Sequence, residues 1–187
     1  MLIKRIVIGL LLVVAAGLGF VVMKLGDDGT LKVNITQGMI DDALAKRFPK
    51  EKTYLKIVRV NYANPKAILL PDQEKVRVSL EVRVSVGITG LEKSYAGSAS
   101  LTTRVGYNPT DFRFYLEEPE LQSLEVPKIP ENYRETLREG INLIASDFVD
   151  KVPICKLAKS DTKTQLAKLL LKDVSIRKNK VVVTLGR

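Results

Sequence analysis

The chain has 187 residues, 45% of them hydrophobic and 27% charged, with a net charge of +9. That balance excludes a disordered chain and fits one folded domain plus a short additional segment. There is no histidine, no tryptophan and a single cysteine, Cys155, so an intramolecular disulfide is excluded and the commonest general base and metal ligand is missing.

Lys4 and Arg5 precede an uninterrupted apolar run from Ile6 to Met23, 18 residues long. As a helix it would cover about 27 Å, close to the hydrocarbon thickness of a bilayer. Basic residues at its start favour a cytoplasmic N-terminus and export of the chain beyond Lys24. The expectation is a signal anchor, one transmembrane helix over residues 1–25, then a polar linker over 26–30 and a periplasmic α+β domain over 31–187. The chain would then be a single-pass inner-membrane protein. The alternative is a signal peptide cut near Val14-Ala15-Ala16, which would release the domain to the periplasm. No cysteine comes after the run until Cys155, so lipid attachment there is excluded.

Thr36 is placed as the N-cap of a short helix, with Ile35 and Ile40 as a hydrophobic staple and Met39, Ala43, Leu44 and Phe48 at helical spacing. Pro49 ends it. Tyr54 to Tyr62 reads as a strand, broken by Asn64-Pro65, and Ala67 to Leu70 as a short apolar run closed by Pro71-Asp72. Val76, Val78, Leu80, Val82, Val84, Val86 and Ile88 then alternate with Arg77, Ser79, Glu81, Arg83, Ser85 and Gly87. Such period-two patterning predicts a long strand with one buried face. Tyr95, Gly97, Ala99, Leu101, Thr103, Val105 and Tyr107 repeat it with smaller residues, which suggests close approach by a helix or strong local bending. Phe112, Phe114 and Leu116 come next as a third strand.

Pro119, Pro127 and Pro130 make residues 117–130 read as an extended crossover. The main helix is expected over about 131–151, where Tyr133, Leu137, Ile141, Ile144 and Phe148 form one apolar stripe. Ser160 is placed as the cap of another helix with Leu166, Leu169 and Leu170 inward. Val174 and Ile176, a Lys-Asn-Lys turn, then Val181, Val183 and Leu185 predict a closing hairpin. Short turns between neighbouring strands imply an antiparallel sheet, covered by helices on its apolar face.

Catalytic machinery is not in sight. There is no Gly-rich phosphate loop, no paired-cysteine motif and no nucleophile elbow. Asp41-Asp42 and Glu117-Glu118 are adjacent acids, which point apart on regular elements and read as solvated. Cys155, in an alternating Val-Pro-Ile-Cys-Lys-Leu segment, reads as a buried structural thiol. Aromatics are too few for a nucleic-acid surface. The expectation is therefore a non-enzyme with no cofactor and no metal site.

Several segments in order resemble one family: Ile35-Thr36-Gln37 opening an Ala-Leu-Ala-Lys helix, Ala63-Asn64-Pro65 before Leu-Leu-Pro, Lys75-Val76-Arg77-Val78, Tyr107-Asn108-Pro109 with Phe114-Tyr115-Leu116, and the late Val-Pro-Ile-Cys-Lys-Leu. The chain resembles the YceB-type family of Gram-negative envelope lipoproteins, a domain family of unassigned function, over about Leu31 to Gly186. The resemblance implies a strongly curved antiparallel sheet wrapped round a long helix, similar to half of a tubular lipid-binding module as in bactericidal/permeability-increasing protein. It implies no catalytic residues. Members typically carry a lipid-modified cysteine after the signal, and this chain has an apolar span in its place.

A one-sided apolar sheet facing one apolar helix stripe suits a slot for a lipid or acyl chain. Its expected lining is Val78, Leu80, Val82, Val84, Leu101, Val105, Leu137, Ile141, Ile144 and Phe148, with Gly97 and Ala99 favouring a gap. The alternative is a periplasmic scaffold with a closed core that docks an envelope protein. The partners expected are thus the membrane, an apolar ligand or an envelope protein, and not nucleic acid.

Overall fold

A computed structural model describes residues 11–16, 19–25, 30–54, 58–87, 92–135, 149, 151–157 and 170–186. Among them, eleven strands and one α-helix form two antiparallel sheets. The strands are β1 (Leu11–Ala16), β2 (Gly19–Leu25), β3 (Leu31–Thr36), β4 (Lys50–Tyr54), β5 (Val58–Leu70), β6 (Lys75–Val86), β7 (Lys93–Asn108), β8 (Arg113–Glu125), β9 (Val152–Lys156), β10 (Leu170–Arg177) and β11 (Lys180–Gly186). The helix, α1, spans Gln37–Ala45. One sheet has the order β1-β2-β3-β11-β10 and the other β4-β5-β6-β7-β8-β9. The α+β class and the antiparallel pairing are as expected from the sequence.

Both sheets feed one core. Leu31, Val33 and Ile35 on β3 lie opposite Leu185, Val183 and Val181 on β11. These six side chains belong to the same buried cluster as Val58 and Val60 of β5 and Val76 to Val84 of β6. Burying each such side chain favours folding by roughly 1.5–3 kcal/mol.

α1 is built as its sequence predicts. Thr36 adopts extended backbone and its hydroxyl accepts the Met39 amide at 3.3 Å. Met39, Ile40, Ala43 and Leu44 are buried. The helix touches β3, β5 and β9. β5 and β9 stand four places apart in the six-stranded sheet, about 19 Å if it were flat. A nine-residue helix of about 13 Å meets both because the sheet curls toward it.

The curl has local causes. β5 does not stop at Asn64-Pro65 but passes through it as a bulge, with Asn64 at φ 50° and the register stepping from Ala63–Glu81 to Lys66–Ser79. β8 carries two more irregularities, opposite Ser100/Leu101 and Thr102/Arg104, with Glu118 at φ 52°. Each extra residue bends its strand and sharpens the twist. The expected crossover over 117–130 is accordingly corrected: up to Glu125 it is the second half of β8, and Pro119 sits at a bulge, where its missing amide costs nothing to the ladder.

Two helical expectations meet different outcomes. Leu11–Ala16 and Gly19–Leu25 are paired antiparallel strands, with β2 continuing onto β3 through Leu25–Leu31, and are not one helix. Val-rich, β-branched stretches punctuated by glycine suit strands. Among the described residues no helix is long and apolar enough to cross a membrane. The long helix expected over 131–151 lies mostly outside the described residues; its start is a 3-10 turn, Glu131–Tyr133. The Ser160 helix also lies outside them, except that Leu170, placed inward on it, instead opens β10 and is 55% exposed. The closing hairpin is as predicted.

Candidate functional site

The inner face of the six-stranded sheet is the candidate site. Its rows are set by register. Val60, Val84 and Tyr95 lie side by side, as do Tyr62, Val82 and Gly97, then Leu69, Val76 and Thr103. Farther along, Val105, Leu116 and Val152 form a row, and Tyr107, Phe114 and Cys155 the next. Of the expected lining, Val78, Leu80, Val82, Val84, Leu101 and Val105 are brought together on this face, each at most 5% exposed. Leu137, Ile141, Ile144 and Phe148 lie outside the described residues. Either side of that stretch, Ile129 and Val149 are buried in the same core and Tyr133 packs on it.

Gly97 corrects the expected gap. A β-carbon there would meet the Glu125 carbonyl oxygen at 2.1 Å and the Val126 α-carbon at 2.9 Å. The missing side chain is thus filled by the backbone leaving β8, and Gly97 marks a close approach by a strand end, not by the helix expected.

Polar groups on this face are few. Thr103 is fully buried and donates its hydroxyl to the Glu117 carbonyl at 2.6 Å. Tyr107 is 9% exposed, with its ring centroid 5.0 Å from that of Phe114, and its hydroxyl is buried without a hydrogen-bond partner. Burial, then the nearby Asp111 carboxylate, raises its pKa above the usual tyrosine value. Asp111 is itself engaged: it accepts the Tyr115 hydroxyl and the Arg113 amide. Cys155 packs on the core, and desolvation pushes its thiol up to about 12. The thiol is half-buried, less than the full burial expected, and its desolvation fits a structural role and opposes a nucleophilic one.

The outer face is polar. A cleft of about 250 Å³ is lined there by Glu51, Arg59, Asn61, Arg83 and Ser85. Arg59 bridges Glu92 at 2.9 Å and Glu51 at 3.7 Å. Arg59 is thus held between two carboxylates, and among the described residues no three acids or thiols gather to hold a metal ion.

One functional contact was invisible to spacing rules. Asp41 on α1 does not simply face water: its carboxylate accepts the Ala67 amide at 2.6 Å. β4 pairs with β5 only from Val58 to Tyr62, so the rest of that edge of β5 needs other acceptors. Of the second acid pair, Glu118 bridges Arg104 at 3.2 Å, and the Glu117 carboxylate lies over Gly106.

Among the described residues, fold and site together define an α+β protein with a curled antiparallel sheet, one short helix and an apolar concave face. The chain belongs to the family described as "Protein of unknown function (DUF1439)", whose model matches residues 35–180. No curated protein matches it. Among solved structures it is similar to the crystal structure of a lipopolysaccharide binding protein, at 12% identity and a TM-score of 0.34. That match covers 87% of this chain and 44% of the other, so this chain spans less than half the length of the protein it resembles. A likeness at this level carries no functional weight.

Proposed function

We propose that this is a membrane-attached periplasmic protein that holds a lipid or another apolar ligand against the inner face of its six-stranded sheet. The observation that carries the reading is the separation of the two faces along β6. Val76, Val78, Leu80, Val82 and Val84 are at most 3% exposed and form an unbroken apolar lane, while Glu81 and Arg83 between them are exposed. A concave apolar face with a few polar groups at its end is what apolar ligands require.

Membrane attachment belongs to the same proposal. It rests on composition alone, the apolar run from Ile6 to Met23 behind Lys4 and Arg5, and requires Leu11–Ala16 and Gly19–Leu25 to leave their pairing as β1 and β2 to enter the bilayer. Kinship with YceB-type lipoproteins and a tubular lipid-binding half-module rests on the ordered set of segments from Ile35-Thr36-Gln37 to Val-Pro-Ile-Cys-Lys-Leu.

Native mass spectrometry of the chain released from membranes tests the ligand. A copurifying lipid, together with displacement of a fluorescent acyl probe, is the expected result. Absence of both refutes it. Membranes washed with alkaline carbonate should retain the protein; release into the wash refutes the attachment.

A second reading has its own observation. Leu170 and Leu171 are 55% and 41% exposed on β10, an edge strand of the five-stranded sheet. An apolar edge can take up a partner strand, so a scaffold role with a closed core is the alternative. A stoichiometric envelope protein, recovered with the chain while no lipid is found, would favour it.

A further inference from the structure

We propose that Tyr107 is the polar anchor of the apolar site, its phenol donating a hydrogen bond to an uncharged acyl carbonyl, so that the ligand class is an ester- or amide-linked acyl lipid. This rests on the apolar-ligand function proposed for the sheet and gives that ligand a chemical identity.

The side chain is where an anchor has to be. Tyr107 continues the inward-facing series Leu101, Thr103 and Val105 at one end of the apolar lane, and it is 9% exposed. Its ring rests on Phe114, at a tilt of 37°. For packing alone a phenylalanine would serve as well. The hydroxyl is the surplus group, and it is buried with no partner. A buried hydroxyl left without a partner is destabilising, and native proteins rarely tolerate one without a role for it.

Nearby polar groups have partners of their own, and none of them takes the Tyr107 hydroxyl. The Asp111 carboxylate takes the Tyr115 hydroxyl and the Arg113 amide. The Asn108 side-chain oxygen accepts the Thr110 amide at 2.9 Å, and Thr103 is bound to the Glu117 carbonyl. Desolvation keeps the Cys155 thiol, beyond Phe114 in the same row, uncharged.

The charge nearby selects among acceptors. Asp111 is close enough to act on Tyr107 electrostatically. A free carboxylate at the phenol would meet that second negative charge in a poorly solvated place, whereas an ester or amide carbonyl would not. The chain of the ligand then lies along the valines of β6, with its carbonyl at Tyr107.

The test uses the full chain held in amphipol, wild type and Y107F, with a fluorescent apolar probe in the site. A long-chain acid methyl ester and the alkane of equal length, each delivered from cyclodextrin, compete for it. In the wild type the ester should displace the probe about tenfold better than the alkane, the worth of one buried hydrogen bond. In Y107F that preference should vanish while alkane competition stays the same. Ligand-free Y107F should melt at or above the wild-type temperature, because a partnerless hydroxyl is removed. An ester preference that survives in Y107F, no preference in the wild type, or a lower melting temperature for the variant overturns the proposal. If neither protein takes up the probe, the apolar-site reading itself fails, which is a separate result.

Discussion

The carboxylate of Asp41 on α1 accepts the backbone amide of Ala67 on β5 at 2.6 Å, tying the helix to the edge of the sheet it covers. The bond falls just after the Asn64-Pro65 bulge, beyond the part of β5 that β4 pairs with. Asp41→Ala leaves the amide without this acceptor at a part-buried edge and should cost about 1–3 kcal/mol. Asp41→Asn retains an oxygen and should cost less. Urea unfolding of the two variants checks this, and equal midpoints for D41A and wild type would remove the tie.

Gly97 leads to a second expectation. Any β-carbon there meets backbone atoms of Glu125 and Val126, which cannot rotate away as a side chain could. Gly97→Ala should therefore destabilise by roughly 1–3 kcal/mol or more. Gly38, in the first turn of α1, has its nearest such neighbour at 4.0 Å, and Gly38→Ala should be neutral or stabilising by up to about 1 kcal/mol. Opposite signs for two Gly→Ala changes, read by thermal melting, distinguish a close approach from open space.

Strand β6 was legible because its period-two pattern spans its whole length, and the Thr36 cap because capping is decided within four residues. The Asn64-Pro65 and Pro119 positions misled for one reason: a bulge and a strand end use the same residues, and the choice depends on a partner strand far away in sequence. Strand β3 was overlooked although Leu31, Val33 and Ile35 alternate with Lys32, Asn34 and Thr36. Six residues between a linker and a helix cap make a weak signal, and the strand is fixed by β11, which arrives about 150 residues later. The apolar run before it reads as a membrane helix by length and as strands by its valines, so composition alone does not choose. At the site, the apolar lane came from periodicity. The unpartnered Tyr107 hydroxyl and the Asp41 bond did not, because both depend on what the curl brings near.

The two faces of β6 should respond differently to truncation at neighbouring positions. Leu80 is 3% exposed in the core, and Leu80→Ala should cost about 2–5 kcal/mol through lost contacts and a cavity. Glu81 is exposed and its carboxylate accepts from the Asn64 amide group at 2.7 Å, so Glu81→Ala should cost under about 1 kcal/mol. Denaturant midpoints of both variants test the facing of the lane, and a reversed order would turn the strand over.

Cys155 gives an expectation with a pH sign. Burial raises its thiol from 9.0 to about 12. Below pH 9 the group is neutral in folded and unfolded chains alike and contributes no pH dependence. As pH rises from 9 toward 12 the unfolded chain loses this proton and the folded chain keeps it, so folding stability declines across that window. Cys155→Ala should flatten this part of the decline, leaving what lysines and tyrosines contribute. Iodoacetamide at pH 8 should leave the folded chain unlabelled over a time that fully modifies a urea-unfolded control, because the thiolate is the reacting species. Rapid labelling of the folded chain would place the thiol in water and make β9 a frayed edge instead of the closing strand of the curl.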